Sequence, residues 1–392
     1  MTNEDLSIIL EIGSGLTKIG ISGECCPSYV FPSVRGIPKG NMSKKYIGYD
    51  AYDKLGQCKM EYPVKRGIAD KYDVEDIIDY SFKKMKIDPS EHMVFFTDTI
   101  VNTKSSREKI IQYMFETYNV LGYFTCSQPY LSLLSVYGEV TGIVVESGFG
   151  ITQIAAYYDN KLLPKSAKSF NFGGYDLSLW LLKMLDIENN FYYTTSEKIL
   201  FDDIKEKHAF VKEKRDAIVH HNSTYQLIDG NILNINDESY YCPELIFNDS
   251  AMDDFLERYY RGSHKEIFKG INDLNFDKSF QTLQKEVYDT IMSQDKSIRK
   301  ELFENIIISG GNTMFDGFQN RLENEIIDLV DSNTKVKVDA FSERKYGSWI
   351  GSSVLSSVSG FNNKFTTRQE YNEVGSSIVN SIFHIDGSSI WK

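Results

Sequence analysis

A chain of 392 residues exceeds the size at which one hydrophobic core keeps growing, so two lobes are expected. Its 41% hydrophobic and 25% charged residues are the composition of a folded globular protein rather than a disordered one. A net charge of -12 argues against phosphate-backbone binding by the chain as a whole, which needs neutralising Lys and Arg.

No run approaches the roughly eighteen apolar residues of a membrane span, and the opening "MTNEDLSIIL" is acidic, so a soluble, cytoplasmic protein with no membrane partner is expected. The five cysteines (Cys25, Cys26, Cys58, Cys126, Cys242) are odd in number and contain no CxxC pair, which suits a reducing compartment. The doublet His220 and His221 lacks a second ligand pair at zinc spacing and reads as a solvated helix end.

In chain order, "LSIILEI" and "LTKIGIS" read as strands around the glycines of "EIGSGLTKI" (residues 11–19). "VEDIIDYSFKKM" has a helical period, "HMVFFTDTI" reads as a strand, and "SREKIIQYMFETY" is again helical. Then the first phrase returns as "ESGFGITQI" (146–154), 135 positions on, with the acid, both glycines, the threonine and the final isoleucine kept. It too lies between strand-like runs, "TGIVVES" and "GITQIAAYY", and helical "YDLSLWLLKML" and "SEKILFDDIKEKHAFV" follow. The spacing is that of a small domain, so a duplicated α/β lobe is predicted, with the lobes packed and joined at a hinge.

Paired glycines in a tight turn leave backbone N–H groups open to form an anion-binding nest. One Gly-x-Gly usually just closes a hairpin; two copies related by duplication would face each other and grip a polyphosphate from both sides. Glu11 and Glu146 stand just before the turns, where carboxylates would repel phosphate unless a divalent cation lay between them, and Mg2+ commonly uses one or two carboxylates with phosphates and water. Lys18 can reach the same phosphates. No "GK[ST]" follows, so neither phrase is a Walker loop. A third glycine element, "NIIISGGNTMFDGF", runs from a strand through Gly310 and Gly311 to a helix start, with Phe315 as a flat face for a base.

Together with "VFPSVRG", "EYPVKRGI", "DIKEKHAFV", "ERKYGSWIGSSVLSSVSGF" and "RQEYNEVGSSIV", these stretches make the sequence resemble the actin family over nearly its whole length. The resemblance implies an α/β chain of the actin and sugar-kinase fold, a duplicated ribonuclease H-like core in two lobes of two subdomains each around a nucleotide cleft. Subdomain 1 would take 1–32, 63–136 and 347–392, and subdomain 2 would take 33–62 with a short inserting loop. Subdomain 3 would take 137–172 and 279–346, and subdomain 4 would take 173–278 with an insertion near 253–278.

By the same resemblance the ligands would be ATP or ADP with Mg2+. Ser14, Gly15, Leu16 and Lys18 would hold phosphates from one lobe, and Gly148, Phe149, Gly150 and Ile151 from the other. Glu11 and Glu146 would hold the metal through water. The adenosine would meet Gly174, Lys205, Glu206, Gly310, Gly311, Asn312, Met314, Phe315 and Lys345, and Gln128 would orient the attacking water. The departures concern catalysis and assembly. Actins carry aspartate where this chain has Glu11, Glu146 and Phe149, and the histidine that helps position the hydrolytic water where it has Gln153; Asp202 replaces a basic residue near the base. The loop around Asn41 and Met42 is shortened, while the receiving cleft near Tyr137 and Ile350 looks retained.

The resulting expectation is an actin-related protein: an ATP-binding structural subunit of a cytoskeletal or motor-associated assembly, with weak or absent ATPase. Its partners would be protein subunits, among them actin or other actin-related proteins, contacted through the insertion and the tail after Phe383. The alternatives are a polymerising actin that hydrolyses ATP, a chromatin-complex subunit in the nucleus, or a small-molecule phosphotransferase, for which no unmatched acidic base is found. Direct nucleic-acid binding is not expected, since the basic "RYYRGSHKEIFK" is accompanied by Glu257 and Glu266 and the chain as a whole is acidic.

Overall fold

The computed structural model describes residues 6–40, 43–69, 74–136, 140–185, 195–227, 230–261, 279–388 and 390. Two large sheets organise them. In the first, strand Ile8–Ile12 pairs antiparallel with Leu16–Ile21 and parallel with Met93–Asp98, which continues parallel to Gly122–Ser127. In the second, Gly142–Ser147 pairs antiparallel with Thr152–Tyr158 and parallel with Ile306–Ser309, which continues parallel to Val338–Asp339. A third antiparallel strand flanks each hairpin, Tyr29–Pro32 in one sheet and Lys168–Phe170 in the other. The same strand plan thus occurs twice, each built around one copy of the repeated phrase.

Each sheet buries its own core. The helix Val74–Met85 shows why such segments fold: Val74, Ile77, Ile78 and Phe82 recur at helical spacing and are buried, while Glu75 and Asp76 open and Lys83 and Lys84 close it in the sense the helix dipole favours. These residues join Ile8, Leu10, Val94 and Phe96 in the core of the first lobe. The second lobe packs Trp180, Leu181, Phe247, Phe255 and Phe318 around Ile143, Val145 and Ile308. Each fully buried aliphatic or aromatic side chain contributes about 1.5–3 kcal/mol.

The chain passes between the lobes at helices Gln128–Leu134 and Gly347–Ser356, which pack against each other. At the crossing a Cβ on Gly351 would lie 1.8 Å from the Leu131 carbonyl oxygen, so only glycine fits there. A small sheet of Arg35–Pro38, Tyr46–Ile47 and Cys58–Glu61 lies within the 33–62 segment, and Ser223–Gln226 with Ile232–Ile235 forms a hairpin within 173–278.

Residues 41, 42 and 137, and the bulk of the insertion at 262–278, lie outside the described residues; of the insertion, helix Asp249–Arg261 is seen to begin it. His220 and His221 are not a helix end. They sit in the loop between helix Thr195–His208 and strand Ser223–Gln226, where His221 Nε2 and Ser223 Oγ share a hydrogen bond at 3.2 Å. All five cysteines are free thiols. No helix among the described residues is long and apolar enough to cross a membrane.

Candidate functional site: a cleft between two facing hairpins

The two glycine turns close in the same way. Gly13 N donates to Leu16 O at 3.0 Å and, 135 positions on, Gly148 N donates to Ile151 O at 2.9 Å. The tips meet across the lobes. A Cβ on Gly15 would stand 2.7 Å from Phe149 Cβ, and one on Gly150 would stand 2.4 Å from Ser14 Oγ, so glycine at each tip permits the approach. Gly148 differs, since a Cβ there would meet only the Ile151 oxygen at 3.6 Å, which leaves its turn facing open space.

The cleft between the tips has a volume of about 420 Å3, and every site residue named from the sequence lines it except Gly174. Gly174 lies just behind: its N–H donates to Gly148 O and its carbonyl accepts from Lys205 Nζ at 2.7 Å. Asn312 braces the second hairpin, its Nδ2 donating to Ser147 Oγ at 3.0 Å and to Gly148 O at 2.7 Å. Gly310 needs its positive φ of 93° and its missing side chain, because a Cβ would lie 2.4 Å from the Ser147 oxygen. Gly311 faces open space. Met314 is partly exposed in the cleft, whereas Phe315, which also lines it, is mostly buried in the core of the second lobe.

Lys18 lines the cleft, faces Glu11 across the hairpin register and is ion-paired with it, while Ser348 Oγ donates to the other Glu11 oxygen at 2.6 Å. Burial, and then the negative charge of Glu11, push the Glu146 carboxyl up to about 8; Ser132 Oγ reaches it at 3.4 Å. A carboxyl driven to hold its proton beside a second carboxylate is one that a divalent cation would stabilise as the anion. Among the described residues no three His, Cys, Asp or Glu side chains gather at metal-binding distance, so a cation here would rest on Glu11 and Glu146 through water and on ligand phosphates. The residues fit Mg2+ held in that way.

At the other end Lys205 is buried and its ammonium is already shared among Gly174 O, Ser178 Oγ at 2.6 Å and Asp202 at 3.2 Å. Lys345 and Glu206 form a looser pair at 3.6 Å across the mouth. Phe149 stacks on Tyr62 with ring centroids 6.2 Å apart and meets Tyr175 edge-on at 5.8 Å. Gln153 is 1% exposed; its carbonyl accepts the Ile100 N–H at 3.0 Å from the opposite lobe and its amide donates to Gln128 at 3.5 Å.

Sequence reasoning missed Arg66 and Asp176. The Arg66 guanidinium, from the first lobe, holds both Asp176 oxygens at 2.6 and 2.8 Å and the Gly150 carbonyl at 2.9 Å, all buried. It also missed Tyr52 and Tyr62 as lining residues.

A duplicated hairpin sheet closing on a cleft with paired carboxylates defines a two-lobed nucleotide-binding protein. The actin family model matches residues 2–384, and the chain belongs to the actin family. Proteins of that family bind ATP or ADP with Mg2+, which is what facing backbone nests and two carboxylates are suited to hold.

Proposed function

We propose that this protein is an actin-related structural subunit that binds MgATP and hydrolyses it slowly or not at all. The observation that carries the reading is Gln153. Hydrolysis needs a water held in line with the terminal phosphate and an acceptor for its proton. Gln153 is no base, and its amide is already committed at both ends, to Ile100 and to Gln128. Gln128 can hold a water without taking its proton. Phe149 adds a ring where a carboxylate would otherwise accept a hydrogen bond.

In this reading the backbone N–H groups of the two turns hold the phosphates, and Glu11 and Glu146 hold Mg2+ through water. The ion neutralises charge on the phosphates when bound. Arg66 and Phe149 keep the lobes together around the nucleotide, so binding serves architecture rather than turnover. The shortened loop around residues 41 and 42 supports a role in a mixed protein assembly over a homopolymer, because end-to-end joining must offset an entropic cost of several kcal/mol. The test is phosphate release from excess MgATP alongside sedimentation at high protein concentration. Release many-fold slower than that of a polymerising actin, with the protein left in the supernatant, is expected. Rapid release with pelleted helical filaments would overturn the reading.

A further inference from the structure

The tail after Phe383, expected from the sequence to contact partners, makes an extensive set of contacts within its own chain. Phe383 and His384 pair parallel with Thr125 and Cys126, extending the first-lobe sheet at the edge left by Gly122–Ser127. The His384 ring stacks on Phe124 at 4.7 Å, and the Arg107 guanidinium lies 3.6 Å from the centre of the Phe383 ring. Ser127 Oγ donates to Ile385 O at 2.9 Å. One residue later the chain is bound to the other lobe: Leu162 N donates to Asp386 Oδ2 at 2.8 Å, and Gly387 N donates to Asn160 O at 2.8 Å. Ser388 N closes a turn on Asp386 Oδ1 at 2.8 Å, and Ile390, 1% exposed, joins the apolar cluster of Tyr130, Tyr157 and Trp349.

These contacts straddle the hinge. At the hinge itself the lobes are joined by helices Gln128–Leu134 and Gly347–Ser356, and the tail adds a short bridge beside them, on the side away from the cleft contacts of Arg66 and Ile100. Asn160 and Leu162 lie at the end of the second-lobe hairpin opposite its glycine turn, about 20 Å away along strand Thr152–Tyr158 at about 3.3 Å per residue. A short bridge fixed there resists rotation of one sheet against the other and so acts on the distant cleft. We propose that residues 383–388, with Ile390, are an intramolecular strap that limits rotation of the lobes about the hinge and holds the cleft closed, whether or not nucleotide is bound.

The Ile100 N–H, donated across the cleft to Gln153, reports opening. Leu162 N–H reports the strap itself. Hydrogen exchange is measured without nucleotide on the intact chain, on Asp386→Ala and on Ile390→Asp, with the amides of strand Ile306–Ser309 as the internal reference. Both variants are expected to exchange at Leu162 and at Ile100 at least tenfold faster, with the reference strand unchanged. Faster exchange at Leu162 with Ile100 unmoved would make the tail a local cover and overturn the proposal. Equal acceleration of the reference strand would make it an ordinary stability element and overturn it as well. Because no nucleotide is present, none of these results depends on the proposed ligand.

Discussion

Arg66→Ala should be among the most damaging single changes in the protein. Arg66 is 6% exposed and Asp176 2%, so the substitution leaves a carboxylate that water cannot reach. Among the described residues only Gly173 N–H, at 2.8 Å, would still donate to it. The Gly150 carbonyl loses its donor too. Removing one partner of such a pair costs about 3–5 kcal/mol, against a total stability of about 5–15 kcal/mol. Replacing both, as Arg66→Met with Asp176→Asn, removes the stranded charge and keeps an acceptor for Gly173, so the double variant should be more stable than Arg66→Ala. Urea unfolding followed by tryptophan fluorescence reads this, since Trp180 and Trp349 are both buried. A loss under about 1 kcal/mol for Arg66→Ala, or a double variant whose loss is the sum of the single ones, would refute the reasoning.

Gly148→Ala should fold with unchanged thermal stability, because its Cβ meets nothing closer than 3.6 Å, yet weaken MgATP binding at least tenfold in calorimetry by crowding the phosphate nest. Gln153→His combined with Phe149→Asp should raise phosphate release more than either change alone, since the first supplies a base and the second a polar group beside the hairpin. His384 gives a pH dependence. Burial and then Lys364 depress its imidazole to about 4, with Asp386 pulling the other way. Well above pH 6.5 the ring is neutral in both states; as pH falls through 6.5 toward 4 the unfolded chain takes up a proton that the folded chain refuses, and stability is lost. The loss reaches about 3 kcal/mol at roughly 1.4 kcal/mol per pH unit, and His384→Phe, which keeps the stack on Phe124, should remove it in denaturation curves at pH 7 and pH 4.5.

What could be read from the sequence was local. A glycine pair between two strand-like runs constrains the turn whatever surrounds it, so the repeated phrase announced both hairpins, and the duplication of the sheets followed from it. The strand-to-helix turn at Gly310 and Gly311 was legible for the same reason. The rest depends on groups far apart in sequence. Arg66 and Asp176 are separated by 110 positions, and although Asp176 opens the helical run "YDLSLWLLKML", nothing local marks the two as partners. Lys18 could be placed near the turn from its distance to Ser14, whereas its ion pair with Glu11 depends on the register of the hairpin. The contacts of the tail within the chain were not legible because Thr125, Asn160 and Leu162 belong to sheets whose edges only the folded chain defines. Gln153 was recognisable as a departure from the family pattern, but its bond to Ile100 joins opposite lobes and has no signature along the chain.

The central claim is that the two facing hairpins and their carboxylates form a magnesium-dependent nucleotide site. Calorimetric titration of the purified protein with ATP, with Mg2+ present and then with Mg2+ chelated, tests it most directly, with Glu11→Gln combined with Glu146→Gln as the companion variant. The account predicts one saturable site per chain that weakens at least tenfold without Mg2+ and loses most of that metal dependence in the double variant. No binding at excess MgATP, or binding indifferent to Mg2+ in the unaltered protein, would contradict it.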